Sequence, residues 1–375
     1  MIQQLDVENF TVFKKAAFEF GSQLNVFIGE NGTGKTQILK LIYAIVALLP
    51  KYQTNGKKRF VTMMERIDRE EFKSVFKVDL IADLVNTNFL LKKTKEKELK
   101  TINNLKILEK DFSDIEANTG IIFINNKVKY KYRVSLRYDD VVADNFSCPV
   151  GDIPINLIPS ALFIPVHELL TIYPNYQSLS KMYHLPYDAT VDHAIAKLGL
   201  PYKKETPKEY DEIVKMLEKA IDGKIFLKNE KFYFSPNSAN DQIAMDVNMA
   251  AEGWRKLGMI LQLLKNGGLG KGMVLLWDEP EANLNPKLIR LIAKVIVELS
   301  HLDIQTFITT HSLFLLREID ILVKSDKKGK KDDTRYFNFP KKGVVEQGSS
   351  PEELGDILLL DESLAQSDRF MEMEE

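Results

Sequence analysis

The chain has 375 residues, 45% hydrophobic and 28% charged, with a formal net charge of -2. This is globular composition with apolar material for a sizeable core, and the near-neutral charge excludes a global basic field for nucleic acid, leaving only local patches. The single cysteine, Cys148, excludes an internal disulfide framework and a cysteine-built zinc site, and points to the cytosol.

The opening MIQQLDVENF has no charged stretch leading into an apolar run, so no secretory leader is expected. Four short apolar runs, Leu24–Ile28, Ala161–Ile164, Met273–Trp277 and Ile304–Ile308, are expected to be buried strands of a mainly parallel sheet. Each runs into polar residues, and open α/β sheets bind ligands beyond the carboxyl ends of their strands. After Thr36, apolar residues at Ile38, Leu41, Ile42, Ile45 and Leu49 predict a helix ended by Pro50, too short to span a bilayer. A helix is predicted from about Glu209 to Asp222, closed by Gly223, then a hairpin of Lys224–Lys228 and Lys231–Phe234 across Asn229-Glu230. Pro286 suits a first helical position, with Leu288, Ile289, Ile292, Ile296 and Leu299 as the apolar face behind it. The charged runs Lys92–Lys100 and Lys324–Asp333 read as solvated faces, with a DNA-facing role as the alternative.

Gly29 to Thr36 fits the pattern G-x-x-x-x-G-K-[ST] and stands between an expected strand and an expected helix, the context a P-loop requires. Its glycines let backbone N–H groups turn inward on phosphate oxygens, and the helix N-terminus adds partial positive charge. Lys35 is assigned to the β- and γ-phosphates and Thr36 to Mg²⁺. Glu30, Asn31, Gly32, Thr33, Gly34 and Gln37 complete the expected cradle. The P-loop reads phosphates and not the base. The run Met273–Trp277 ends in Asp278-Glu279, a Walker B pattern: Asp278 is expected on Mg²⁺ and Glu279 on the attacking water. His311, just past the Ile304–Ile308 run, is read as a γ-phosphate sensor or stabiliser. Ala251 to Gly258 opens a helix whose N–H groups, at Glu252 and Gly253, could meet a phosphate; an ordinary helix start is the alternative.

Together these residues resemble the ABC-ATPase superfamily, in the branch of chromosome-maintenance (SMC-like), recombination-repair and overcoming-lysogenization-defect ATPases. Ile2–Phe10 with Phe18–Phe20 is similar to that branch's opening β-hairpin, and Glu281–Pro286 resembles its D-loop. The segment from Ala251 stands where the signature motif lies but departs from Leu-Ser-Gly-Gly-Gln, with Glu252 at the serine position. Phe163–Leu170, Ser74–Asp79 and Leu360–Arg369 are similar to segments of the small ATPases of bacterial anti-phage systems such as Septu. That likeness puts Glu168 or His167 at the Q-loop position near Mg²⁺; a simple turn at Pro165 is the alternative.

The resemblance implies an α/β, ABC-ATPase type P-loop fold with a mainly parallel core sheet, an N-terminal antiparallel β subdomain and a helical insertion. The expected organisation is one discontinuous ATPase domain. Residues 1–50 and 140–170 form the P-loop lobe, 51–139 an α/β insertion and 171–245 a mostly helical one. Residues 246–345 carry the signature, Walker B and histidine, and 346–375 form a helical tail. ATP and Mg²⁺ are the implied ligands, and a head-to-tail dimer or higher oligomer would face Gly253 and Trp254 of one subunit to Lys35 of the other. The chain has no Asp-x-Asp pair, which speaks against a fused Toprim nuclease. The implied role is a cytoplasmic ATPase controlling a separate effector protein, with a DNA-clamping ATPase as the rival; a membrane partner is not expected.

Overall fold

A computed structural model of the chain describes residues 1–48, 65–66, 69–77, 116–125, 128–137, 140–147, 159–237, 244–326, 333–341, 344–355 and 357–373. The Lys92–Lys100 run, Cys148 and most of the Lys324–Asp333 run lie outside the described residues.

Strand-length apolar runs and period-2 alternation dictate the centre of the molecule. Strands β1 (Ile2–Phe10), β2 (Phe13–Glu19) and β3 (Leu24–Gly29) lead into helix α1 (Lys35–Leu48). Next come β4 (Glu65–Arg66), α2 (Arg69–Phe76), β5 (Glu116–Asn125), β6 (Val128–Arg137), β7 (Asp140–Ser147) and β8 (Ala161–Ile164). Helices α3 (Leu169–Ile172), α4 (Tyr176–Met182), α5 (Ala189–Leu198) and α6 (Asp211–Ile221) precede β9 (Gly223–Lys228), β10 (Lys231–Pro236) and β11 (Met245–Asp246). The chain continues through α7 (Glu252–Asn266), β12 (Val274–Asp278), α8 (Pro286–His301), β13 (Gln305–Thr310) and α9 (Leu313–Ser325). It ends in β14 (Thr334–Phe339), β15 (Glu346–Gly348) and α10 (Leu358–Glu372).

The central sheet has the order β15-β14-β3-β13-β12-β8, every pairing parallel except β14 with β15. All four expected strands are in it. Two are displaced along the chain: the Walker B strand takes Asp278 as its last residue, and β13 starts at Gln305 and extends to Thr310. The strands are buried on both faces, and alternate residues feed two cores. Val26, Ile28, Leu162, Ile164, Leu275, Trp277 and Ile308 pack with α5 to α9. Phe27, Phe163, Val274, Leu276 and Phe307 point the other way, toward α1 and the first two strands. This second core is unusually aromatic. Phe20 meets Phe307 edge-on at 5.0 Å and Phe27 meets Phe337 edge-on at 5.1 Å, pairings worth about 0.5–1.5 kcal/mol each beyond the area buried.

The antiparallel sheet has the order β2-β1-β5-β6-β7-β4. The strands of the 51–139 segment therefore extend the opening hairpin edge to edge, and the 139/140 boundary falls between the paired strands β6 and β7. The sheet is tied to the core by buried Gln305, whose Nε2 donates to Ile2 O (2.7 Å) and Gly21 O (2.9 Å) while its Oε1 accepts from Ile2 N (2.7 Å).

The 171–245 segment is helical as far as Ile221 and then forms the three-stranded sheet β11-β10-β9. The expected hairpin is present, with Asn229 and Glu230 both at positive φ, the geometry of a two-residue turn with right-handed twist. The helix before it differs from expectation. Regular helix starts at Asp211, and the left-handed cap is Asp222 (φ 48°), while Gly223 opens β9. A Cβ on Gly223 would stand 2.5 Å from the Phe234 ring, so close approach, not the cap, calls for glycine there. The C-terminal helix α10 is present and mostly exposed. Among the described residues no helix is long and apolar enough to cross a membrane.

Candidate nucleotide-binding site

The carboxyl ends of β3, β12 and β13 converge on one cleft, as expected for ligand binding beyond a parallel sheet. Strand β3 gives way to the P-loop, and α1 begins at Lys35. Gly34 has φ 93°, and a Cβ there would also lie 2.6 Å from Val12 and from Phe13. Only glycine satisfies both conditions. The Nζ of Lys35 donates to the carbonyls of Gly29 (2.9 Å) and Glu30 (2.6 Å). The side chain is buried, and burial pushes its pKa down to about 8, against the opposing pull of Glu279, Asp278, Glu281 and Glu30.

Thr36 Oγ1 lies 3.0 Å from Asp278 Oδ1 and 3.2 Å from Oδ2. Thr309, on the next strand, donates to Asp278 Oδ1 (2.5 Å) and accepts from the backbone N–H of Glu279 (3.0 Å). Glu279 itself sits at φ 45°, a left-handed conformation of the kind that costs a non-glycine residue about 1–3 kcal/mol and gathers at functional sites. Its Oε1 lies 3.1 Å from His311 Nε2. Burial, and then the Lys35 cation, lower the His311 pKa, while Glu279 raises it in part.

A cavity of about 460 Å³ joins these groups: Asn31, Gly32, Gly34, Lys35, Thr36, Gln37, Glu279 and His311 line it together with Thr11, Val12 and Phe76. Gln37 Oε1 is buried without a partner among the described residues. The P-loop, Walker B and histidine positions expected from sequence therefore meet in one place. Thr36 and Asp278 present a hydroxyl and a carboxylate side by side, the hard-oxygen pair that suits Mg²⁺ when phosphate oxygens and water supply the rest of its shell. Among the described residues no group of three or more His, Cys, Asp or Glu side chains could hold a metal ion unaided.

Five expected residues stand apart from this cleft or take other partners: Thr33 Oγ1 donates to Glu30 O (2.9 Å) and Glu30 Oε2 accepts from Lys341 Nζ (3.4 Å), and the others are Glu168, Glu252 and Gly253. Glu168 caps α3, its Oε1 accepting from Leu170 N (2.7 Å) and its Oε2 from Thr171 N (3.2 Å), and it pairs with Arg255 Nε at 3.1 Å. Both oxygens are thereby engaged away from Thr36 and Asp278. Glu252 accepts from Asn283 Nδ2 (2.8 Å). Gly253 is buried where a Cβ would meet Leu288 at 2.3 Å, so the glycine lets α7 approach the start of α8. The cap residue Ala251 offers no side-chain acceptor to the first turn of α7.

Sequence reasoning did not assign the threonines Thr309 and Thr310, Glu281 or Lys256. Lys256 is buried, and its Nζ donates to Ala282 O (2.9 Å) and Pro280 O (3.3 Å), with its pKa lowered by burial. The second glutamate of Asp-Glu-Pro-Glu was the available signal for Glu281, but which carboxylate faces which loop depends on the strand pairing.

Residues 24–317, most of the chain, match the family described as "AAA domain, putative AbiEii toxin, Type IV TA system". The chain belongs to that family. Local sequence similarity links this AAA-family chain to the DNA replication and repair protein RecF of Shouchella clausii, 36% identical over 69 residues, which is 18% of this chain and 18% of the relative. RecF of Streptococcus gordonii is 35% identical over 65 residues, 17% of this chain and 18% of the relative. The chain thus spans less than a fifth of the length of the curated relatives it matches. In fold it is similar to the crystal structure of an Smc head bound to the C-terminal winged-helix domain of ScpA. The TM-score is 0.51 and the identity 14%, over 92% of this chain and 96% of that chain. The likeness is one of fold.

Proposed function

We propose that this chain binds ATP with Mg²⁺ and hydrolyses it, and that the nucleotide state controls a separate effector protein in bacterial anti-phage defence. The observation that carries the hydrolytic part is the convergence of Lys35, the Thr36–Asp278 pair, and the Glu279–His311 contact on a single cleft. Lys35, now occupied by two backbone carbonyls, transfers to the β- and γ-phosphates. Thr36 and Asp278 would hold Mg²⁺; for Glu168 to join them it would have to leave Arg255 and the α3 cap. When bound, Mg²⁺ neutralises charge that develops on the phosphate oxygens. Glu279 accepts the proton of the attacking water as general base, and His311 keeps that carboxylate aimed while touching the γ-phosphate.

The cleft provides only one side of a nucleotide site. The open first turn of α7 on a second copy supplies the other, giving a head-to-tail dimer with ATP between Lys35 and the partner's signature region. Resemblance to small anti-phage ATPases, and a family description that names a toxin and a toxin–antitoxin system, support an effector as the output. The local likeness to the RecF proteins favours a second reading, an SMC- or recombination-repair-like ATPase that clamps DNA.

The test is Glu279→Gln. It is expected to keep ATP affinity, lose turnover by at least 10²-fold, and accumulate an ATP-dependent dimer in sedimentation; normal turnover would refute Glu279 as base. Pull-down of the same variant with ATP then separates the outputs. A co-purifying nuclease or toxin supports the effector reading. Nucleic acid whose recovery falls steeply with salt supports the clamp.

A further inference from the structure

The turn after β12 carries a second acidic side chain with no place in the scheme above. Glu281 Oε1 accepts a hydrogen bond from Thr310 Oγ1 (2.5 Å) and another from the backbone N–H of His311 (3.1 Å). Thr310 Oγ1 in turn accepts from Ser312 N (2.9 Å). One carboxylate therefore fixes three consecutive residues at the end of β13, and the middle one is the histidine that meets Glu279. The other oxygen, Oε2, is buried and has no partner among the described residues. A carboxylate kept inside with one oxygen unpaired is costly, and a neutral apolar side chain would be cheaper if the turn needed only filling. Such costs are retained where a site uses them.

The adjacent threonine repeats the device. Neighbouring side chains leave a strand on opposite sides, so Thr309 reaches Asp278 and Thr310 reaches Glu281. The backbone of the turn is held from elsewhere: buried Lys256 of α7 binds the carbonyls of Pro280 and Ala282, the residues on either side of Glu281.

We propose that Glu281 is a positioning residue that sets His311 against Glu279, and that Lys256 fixes Glu281 in turn, so that the catalytic loop takes its geometry from helix α7. The helix that faces a second copy across the nucleotide thereby has a physical connection to the hydrolytic pair of its own subunit. Burial also raises the pKa of Glu281, with the Thr310 and His311 hydrogen bonds opposing; the Oε1 acceptor is available in either charge state.

This inference rests on the hydrolysis reading. The experiment is steady-state ATP hydrolysis by the full chain, with nucleotide affinity measured separately by a fluorescent ATP analogue. Glu281→Ala is expected to lower kcat on the order of 10²-fold, as for a misplaced catalytic group, with nucleotide affinity within about twofold. Glu281→Gln keeps the acceptor and is expected to recover most of the loss. In a His311→Ala background, Glu281→Ala is expected to cost nothing further, because both remove the same contact. Thr310→Val, which keeps shape and removes the donor, is expected to follow Glu281→Ala, as is Lys256→Met. Additive losses in the double variant, or equal losses in Ala and Gln, would overturn the proposal. Lys35→Ala distinguishes the two failures. Wild-type turnover no higher than that of Lys35→Ala removes the hydrolysis reading and this inference together; robust wild-type turnover matched by Glu281→Ala removes this inference alone.

Discussion

The P-loop lysine makes a pH dependence that can be worked out from the structure. Burial holds Lys35 at about pKa 8 in the free protein, whereas beside phosphates it must be charged. Nucleotide affinity should then scale with the fraction of free protein in which Lys35 carries its proton. At pH 7 that fraction is close to one, at pH 8 about a half and at pH 9 about a tenth, so binding weakens roughly tenfold, about 1.4 kcal/mol, between pH 7 and pH 9. The sign for folding is opposite. A lysine whose folded pKa lies below its unfolded value opposes folding while both states are below pH 8. That cost is relieved as pH rises from about 8 to the unfolded value near 10.5, by about 3 kcal/mol in all. Titration calorimetry of an ATP analogue at pH 7.5 and 9, in two buffers of different ionisation enthalpy, measures both the loss and the proton taken up. Lys35→Met supplies the background for the stability change. Affinity constant within twofold over that range, with no proton uptake, would show that the Gly29 and Glu30 carbonyls and nearby carboxylates outweigh burial, and the reasoning would fail.

Three further outcomes follow from the same coordinates. Gln305→Leu removes the side-chain partners of Ile2 N and Ile2 O inside the protein and leaves Gly21 O with its Asn25 Nδ2 donor alone, and a denaturant titration should show a loss of about 2–4 kcal/mol. Gly253→Ala drives a methyl into Leu288 at a cost of about 1–3 kcal/mol; adding Leu288→Ala should return part of that loss, and a purely additive pair would argue against the contact. His311, lowered first by burial and then by the Lys35 cation, should titrate below the ordinary histidine range in NMR and move upward in Lys35→Met, so an unmoved titration would discount the cation.

The P-loop was legible because its chemistry is local. One contiguous stretch supplies the tight turn, the lysine and the hydroxyl, and the flanking strand and helix follow from apolar spacing. The four core strands were legible for a similar reason, since each is apolar and of strand length, although Asp303 at φ 56° delays β13 until Gln305. What escaped was non-local. Thr309 and Thr310 look like ordinary strand residues until β13 is laid beside β12, thirty residues away in sequence. Lys256 reads as a surface lysine on an amphipathic helix, yet its cation is buried under the carbonyls of Pro280 and Ala282. Glu168 shows the converse: the Q-loop analogy gave it a metal, and local geometry gave it a helix cap and Arg255. The strands β5 and β6 could not be placed because residues 51–139 carry no motif; the pairing of β5 with β1 and of β6 with β5 is set by the sheet.

The unsatisfied groups of the free site bear on how ATP would act as a switch. Lys35 is spent on backbone carbonyls, and among the described residues Gln37 Oε1 has no partner and the first turn of α7 no side-chain cap. A γ-phosphate between two copies would meet the P-loop of one and the α7 start of the other. Hydrogen bonds to a charged group contribute about 1.5–3 kcal/mol each. Two such bonds, one at each of two sites, amount to about 3–6 kcal/mol that ADP lacks, or roughly 10² to 10⁴ in the dimer constant. That is enough to make assembly follow the nucleotide without any change in the P-loop grip itself. On this account the chemistry of Glu279 serves as a timer, and Glu281 and Lys256, which join α7 to His311, are where closure of the partner would be felt by the water-activating pair.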